Sequence, residues 1–204
     1  LNVIKKIAKK RNAPLFAAQK FNNIKFKYLN GTFQQQNKNI ALTTISILEK
    51  FNEIKINKNK IISGLKKTRW PARMEFISRN VLVDAAHNLD GFEILKKELI
   101  VLKKGKNIGN FIFVIGIQND KNILDMLKVI NPLVSMIIFT KSENIKAAEP
   151  QYLLNILNKI NKNQNLTKKI IKNPKRALNY ARNIAGKNDL VVVAGSIYMA
   201  GEVV

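Results

Sequence analysis

The sequence predicts an α/β fold built on a mostly parallel sheet. Short apolar runs at Val81–Val83, Phe111–Ile115, 136–139 and Leu190–Ala194 alternate with segments of helical periodicity. The runs are apolar throughout instead of alternating with polar residues, the mark of strands buried on both faces. Polar or small residues close three of them: Asp84, Gly116 and Gly195. In open parallel sheets, ligands bind beyond such carboxyl ends.

Taken in order, residues 1–8 read as a helix with Val3, Ile4, Ile7 and Ala8 on one face. Ile24, Phe26 and Tyr28 alternate with lysines and predict a half-buried strand. Asn30-Gly31 marks a turn. A helix follows with Ile40, Ala41, Thr44, Ile45, Leu48 and Phe51 on one face. Another starts near Asn57 with Ile61, Ile62 and Leu65 inward. Residues 66–68 form a connector, after which the pattern changes character. The boundary is therefore set between residues 1–68 and 69–204.

In the second part, Asp90 with Glu93 predicts a capping box ahead of Phe92, Leu95, Leu99 and Leu102. Asp120 is the expected cap for a helix carrying Ile123, Leu124, Leu127 and Ile130 inward. Pro150 suits the first turn of a helix with Leu153, Leu154, Leu157 and Ile160. Ile170-Ile171 predicts a short strand, and Asn173-Pro174 opens a helix through Ala177, Leu178, Ala181 and Ile184.

Composition narrows the chemistry. Over 204 residues there is no cysteine and a single histidine. Disulfides, thiolate metal sites, cysteine catalysis and histidine-rich sites are excluded. No apolar run reaches the roughly 18 residues of a membrane span. The net charge is +23, from 36 basic against 13 acidic residues. Only Arg11, Arg69, Arg73, Arg79, Arg176 and Arg182 are arginine, the residue nucleic-acid readers favour. The lysines are scattered among asparagines and isoleucines, so the charge reads as compositional bias and nucleic acid is not an expected partner. Residue 1 is Leu within a helical pattern, and residues 197–204 carry no stop signal. The chain is expected to continue at both ends, and no signal peptide is expected.

Two clusters can carry chemistry. Asp84 ends a strand and precedes Ala85 and Ala86, small residues that let a ligand approach the backbone. A carboxylate there can accept from ribose hydroxyls or cap the next turn. His87 is catalytic or structural, and Asn88 a ligand contact or a turn residue. Arg69-Trp70-Pro71-Ala72-Arg73 lies between the two parts. Its arginines can neutralise phosphate, or the stretch is a linker anchored by a buried tryptophan. There is neither a G-x-x-x-x-G-K-[ST] loop nor a G-x-G-x-x-G motif.

Four motifs in order resemble the C-terminal part of folylpolyglutamate synthase/dihydrofolate synthase, of the Mur ligase superfamily. Leu29-Asn30-Gly31-Thr32-Phe33-Gln34-Gln35-Gln36-Asn37 is similar to L-x-G-x-H-Q-x-x-N. Ile62-Ser63-Gly64-Leu65 with Trp70-Pro71-Ala72-Arg73-Met74-Glu75 resembles G-L…W-P-G-R-[LM]-E, and residues 84–91 resemble D-G-A-H-N-P-x-G. Residues 189–202, with Gly195-Ser196-Ile197-Tyr198, resemble D-x-x-x-V-x-G-S-x-Y-x-x-G-E. Phe33, Ala72 and Leu89 stand where the family has histidine, glycine and proline. Gln118-Asn119-Asp120-Lys121 and Lys146 depart from its segments after the second and third runs.

The resemblance implies a Rossmann-like Mur ligase C-terminal domain over 69–204, preceded by the α/β tail of a central ATP-binding domain over 1–68. It implies an ATP-dependent amide ligase that adds L-glutamate to dihydropteroate or folate through an acyl phosphate. The enzyme would be cytoplasmic and monomeric at full length. Asn37 would contact adenine, Asp84 the ribose hydroxyls and Arg73 the phosphates. His87 would stand beside the phosphoryl and glutamate site, with Asn88, Ser196 and Tyr198 near glutamate. The phosphate loop and magnesium ligands would lie in an N-terminal part, so this chain alone is expected to be inactive. A peptidoglycan-precursor ligase and a basic nucleic-acid-binding α/β domain are the alternatives.

Overall fold

The structure, a computed structural model, describes residues 1–22, 24–161 and 165–204. The chain separates into two compact units. The first comprises residues 1–27 and 32–68, the second residues 28–31 and 69–204.

The second unit holds a six-stranded sheet. Its strands are β1 (Glu75–Ser78), β2 (Val81–Val83), β3 (Phe111–Ile115), β4 (Val134–Phe139), β5 (Thr167–Ile170) and β6 (Leu190–Ala194). They lie in the order β1-β2-β6-β3-β4-β5. All neighbours are parallel except β1 and β2, which form an antiparallel hairpin through Arg79-Asn80. The mostly parallel sheet expected from the continuous apolar runs is present. β1 was not expected: Glu75-Phe-Ile-Ser is short, mixed in character and lies at the edge.

Side chains of successive strand residues alternate between the sheet's faces. Val81, Val83, Ile112, Val114, Val191 and Val193 form one core with Ala177, Leu178 and Ala181 of α7 (Pro174–Ile184) and with Met199 and Ala200 of α8 (Ile197–Val203). Their neighbours Leu82, Phe113, Ile115 and Val192 are equally buried and point the other way. The helices α4 (Leu89–Lys106), α5 (Ile123–Ile130) and α6 (Pro150–Ile160) pack against each other in series. Phe92, Leu95 and Leu99 of α4, Met126 and Leu127 of α5, and Leu153 and Leu157 of α6 are buried. Each fully buried aliphatic or aromatic side chain contributes about 1.5–3 kcal/mol, and this sheet carries them on both faces.

Two helix starts differ from expectation. Asn88, not Asp90, caps α4: its backbone is extended and its Oδ1 accepts from Gly91 N–H at 2.8 Å. Asn122, not Asp120, caps α5, and its Oδ1 accepts from Asp125 N–H. Asp120 instead pairs with Lys121. In both places an asparagine two residues from the expected acid takes the cap: Asp90 already lies inside α4, and Asp120 lies two residues ahead of the α5 cap position, so neither stands at the residue that flanks the first turn. Pro150 and Asn173-Pro174 open α6 and α7 as expected.

The first unit holds α1 (Asn2–Lys10), α2 (Gln34–Lys50) and α3 (Lys58–Lys67). The expected strand over residues 24–28 does not form; Asn23, beside it, lies outside the described residues. Backbone groups just upstream bind side chains of α2 instead. Gln19 N–H donates to Thr43 Oγ1, and Phe21 N–H to Asn39 Oδ1. The Lys38 ammonium donates to the carbonyls of Phe21 and Asn22 at 3.1 and 2.8 Å. The buried side of α2 is therefore polar: Gln34, Lys38 and Thr43. Its expected apolar face is largely open, with Ile40, Leu48 and Phe51 exposed. Phe16, Ala18, Ile40, Thr43, Thr44, Ile47 and Leu48 line a groove of about 380 Å³. On α3, Ile61 and Leu65 are half-buried and Ile62 is exposed.

Candidate functional site

The carboxyl ends of β2, β3 and β6 meet at one edge of the second unit. Asp84 N–H donates to Val193 carbonyl, Gly195 N–H to Ala86 carbonyl, and Gly116 N–H to Ala194 carbonyl at 2.9, 2.9 and 3.4 Å. Gly195 has φ +116°, and a Cβ there would stand 2.5 Å from Gly116 oxygen. Glycine allows both the backbone turn and the close approach of the two strand ends.

Arg73 stands beside this edge in an unusual backbone. Ala72 and Met74, on either side, have φ +55° and +48°. Left-handed backbone costs a residue with a Cβ about 1–2 kcal/mol, so surrounding contacts must hold it. Four of them do. Ala72 N–H donates to Glu75 Oε2 at 2.8 Å, and Ala72 carbonyl accepts from Ala85 N–H at 2.7 Å. Met74 N–H donates to Asp84 Oδ2 at 2.9 Å, and Met74 carbonyl accepts from Asn30 Nδ2 at 2.9 Å. Ala72 and Met74 are buried, while the Arg73 side chain between them is exposed. Trp70 is 66% exposed, so it does not anchor the stretch as a buried tryptophan. The anchors are the two carboxylates. The change from glycine to alanine at position 72 is small in volume but not neutral for the backbone.

Asp84 is 7% exposed and uses both oxygens: Oδ2 on Met74 N–H and Oδ1 on Ala86 N–H at 2.8 Å. Burial pushes its carboxyl above the ordinary value. The two N–H donors and the charges of Arg73 and His87 offset this only in part. Each oxygen keeps a second lone pair, so Asp84 organises the loop and can still accept from a ligand hydroxyl. Glu75 behaves oppositely. Burial pushes it up, but the Arg69 guanidinium, Ala72 N–H and the Arg69 charge outweigh that and hold it below its ordinary value.

His87 is half-buried, and its Nδ1 lies 2.9 Å from Ala85 carbonyl. A carbonyl only accepts, so the bond requires the proton on Nδ1 and leaves Nε2 for another partner. Asn88 spends Oδ1 on the α4 cap. Ser196 is 2% exposed and caps α8, accepting from Met199 N–H at 3.5 Å. Tyr198, two residues on, is exposed. Asn37 belongs to the first unit, on α2, where its Nδ2 donates to Gln34 Oε1 at 3.0 Å. The structure thus gathers Arg73, Asp84, His87, Asn88 and Ser196 at or next to the strand ends of one unit. Glu75 and Asn30 both lie within the sequence motifs, where Asn30 was expected only to mark a turn and Glu75 had no assigned part. Neither carried a signal of its own, because the left-handed backbone that they hold is invisible in the sequence.

Among the described residues, no group of three or more histidines or acids could hold a metal ion. No helix among them is long and apolar enough to cross a membrane.

The sheet order, the hairpin at its edge and the clustered strand ends define an open α/β domain whose polar residues gather at the carboxyl ends of parallel strands. E. coli FolC, solved with DHPP and ADP, shares the fold: TM-score 0.73, 24% identity, 90% of this chain and 40% of that one. The sequence model of the family described as "Dihydrofolate synthetase, C-terminal domain" matches residues 73–204. The chain belongs to that family. It is 25% identical over 177 residues to the Bacillus subtilis dihydrofolate synthase/folylpolyglutamate synthase, covering 86% of this chain and 39% of that protein. It is 29% identical over 149 residues to the Clostridium perfringens UDP-N-acetylmuramoyl-L-alanyl-D-glutamate–2,6-diaminopimelate ligase, covering 70% of this chain and 30% of that protein. The chain thus spans well under half of either relative's length.

Proposed function

We propose that the chain is the C-terminal part of an ATP-dependent ligase that joins L-glutamate to dihydropteroate or folate. The observation that carries this reading is Arg73 held beside Asp84 and His87 at the strand ends of a domain of this family. In the proposed reaction a substrate carboxylate oxygen attacks the γ-phosphorus of ATP and ADP leaves. The glutamate nitrogen then attacks the acyl carbon, phosphate leaves, and the nitrogen gives up a proton. Positioning and charge neutralisation do most of the work in such transfers.

The roles follow the chemistry of each side chain. The exposed Arg73 guanidinium meets phosphate oxygens through its planar fork. Asp84 accepts from ribose hydroxyls with its remaining lone pairs. His87 Nε2 lies beside the phosphoryl and glutamate site, with Asn88, Ser196 and Tyr198 as outer contacts to glutamate. In the first unit, Asn37 contacts adenine. Magnesium, when bound, neutralises charge on the phosphates; its ligands and the phosphate loop belong to a preceding N-terminal part. We read residues 1–68 as the tail of a central ATP-binding domain, whose remainder covers the open apolar face of α2. The open groove beside Phe16 and Leu48 supports that reading. The full enzyme would be a cytoplasmic monomer.

A coupled ADP-release assay with dihydropteroate or folate and glutamate tests the proposal. Turnover is expected from a longer protein that includes a phosphate loop, and none from this chain alone. Turnover by the isolated chain overturns the division of labour. A peptidoglycan-precursor ligase is the second reading, favoured by the similarity to the diaminopimelate ligase. Release of ADP by the longer protein only with UDP-linked muramoyl peptides would decide for it.

A further inference from the structure

The Arg73 segment is bound from both sides by carboxylates, and one of them has no role in the reading above. Glu75 is 8% exposed and stands at the first position of β1. Its Oε1 accepts from Arg69 Nε and Nη2 at 3.1 and 2.7 Å, and its Oε2 from Ala72 N–H at 2.8 Å. Ala72 is the left-handed residue immediately before Arg73. On the other side, Met74 N–H is held by Asp84. Ala72 and Met74 thus contribute two left-handed residues within three positions, and both amides end on a carboxylate. Neither conformation is the chain's own preference. Without the acceptors, the segment would relax toward ordinary backbone and carry the Arg73 Cα with it.

We propose that Glu75 is a positioning residue for Arg73: with Asp84 it clamps the peptides flanking the arginine and pre-aims the guanidinium toward the strand ends. Arg69 steadies this acid from the exposed side, its side chain 63% exposed against 11% for Glu75. Pre-aiming matters because a long, exposed arginine loses rotamer and backbone freedom on binding. A segment fixed in advance leaves less to lose. That Arg73 meets phosphate rests on the function proposed above; that Glu75 fixes the backbone beside it does not.

Two measurements separate these claims, exchange on the 204-residue chain and nucleotide binding on the longer protein that includes the phosphate loop. The first is backbone amide exchange. Ala72 N–H is expected to exchange slowly in the wild type and at least tenfold faster in Glu75→Ala, with Met74 N–H less affected. Glu75→Gln keeps one acceptor and is expected to fall between. Unchanged Ala72 exchange in Glu75→Ala overturns the clamp. The second is calorimetric binding of ADP, with adenosine as the probe lacking phosphate. Arg73→Ala and Glu75→Ala are each expected to weaken ADP about tenfold and to leave adenosine unchanged. The double variant is expected to bind no more weakly than Arg73→Ala, since Glu75 acts through the arginine. Additive losses, or equal losses for adenosine, mean that Glu75 serves stability alone and overturn the positioning role. Failure of Arg73→Ala to weaken ADP in that longer protein overturns the phosphate reading; the exchange result then decides the clamp by itself.

Discussion

Gly195 and Gly116 approach so closely that a single methyl group on the first would lie 2.5 Å from the carbonyl oxygen of the second. Gly195 also sits at φ +116°, outside the range comfortable for other residues. The contact joins the ends of β6 and β3 where the sheet presents its ligand edge. Gly195→Ala is expected to destabilise the second unit by about 2–5 kcal/mol, combining left-handed strain with overpacking against backbone that cannot step aside. Chemical denaturation checks this. The expected result is a lower midpoint with an unchanged slope, which reports lost stability instead of an altered unfolded state.

The two clamp carboxylates should respond to acid with opposite sign. Glu75 sits below its ordinary value of 4.5 in the folded chain. Its contribution is present above that value and is lost as pH falls through the folded one. Asp84 is raised above its ordinary value of 3.8. The folded state then holds this proton more tightly than the unfolded one, so Asp84 opposes folding above its folded value and the penalty is relieved as pH falls toward 3.8. Stability measured between pH 7 and 3 is expected to fall less steeply in Glu75→Gln than in the wild type. In Asp84→Asn it is expected to fall more steeply, starting from a lower value at pH 7, because the amide nitrogen cannot accept from Met74 or Ala86 N–H. Parallel pH profiles for all three proteins would contradict the assigned linkage.

What could be read from the sequence divides along the two units. The strands of the second unit announced themselves because Val81–Val83, Phe111–Ile115 and Leu190–Ala194 are buried on both faces, which demands continuous apolar runs. The motif residues Arg73, Asp84, His87, Asn88 and Ser196 lie at or next to strand ends, which is where that sheet type places ligand contacts. The first unit was harder to read. Ile24, Phe26 and Tyr28 alternate as a strand would, yet the nearby backbone groups are taken by Thr43, Asn39 and Lys38 side chains of α2, so no ladder forms. A lysine used as a buried donor to two carbonyls leaves no mark in hydropathy, which counts it as surface. The left-handed pair around Arg73 was equally silent, since alanine and methionine rarely adopt such backbone.

That pair leads to a substitution expected to stabilise. Ala72 occupies φ +55° where the resemblance has glycine, and its buried methyl belongs to the core beside β2 and β6. Ala72→Gly removes about 1–2 kcal/mol of strain and gives back about 0.4–1 kcal/mol through the greater freedom of the unfolded chain. With about 0.8 kcal/mol of methyl burial also forfeited, the expected net is a gain of at most about 0.8 kcal/mol. It should appear as a higher thermal midpoint and should be smaller in a Glu75→Ala background, where the segment is already free to leave the left-handed region. Equal gains in both backgrounds would mean that Glu75 does not impose the strain that glycine relieves. A loss of stability in the wild-type background would mean that Ala72 earns more from its Ala85 neighbours than its backbone costs.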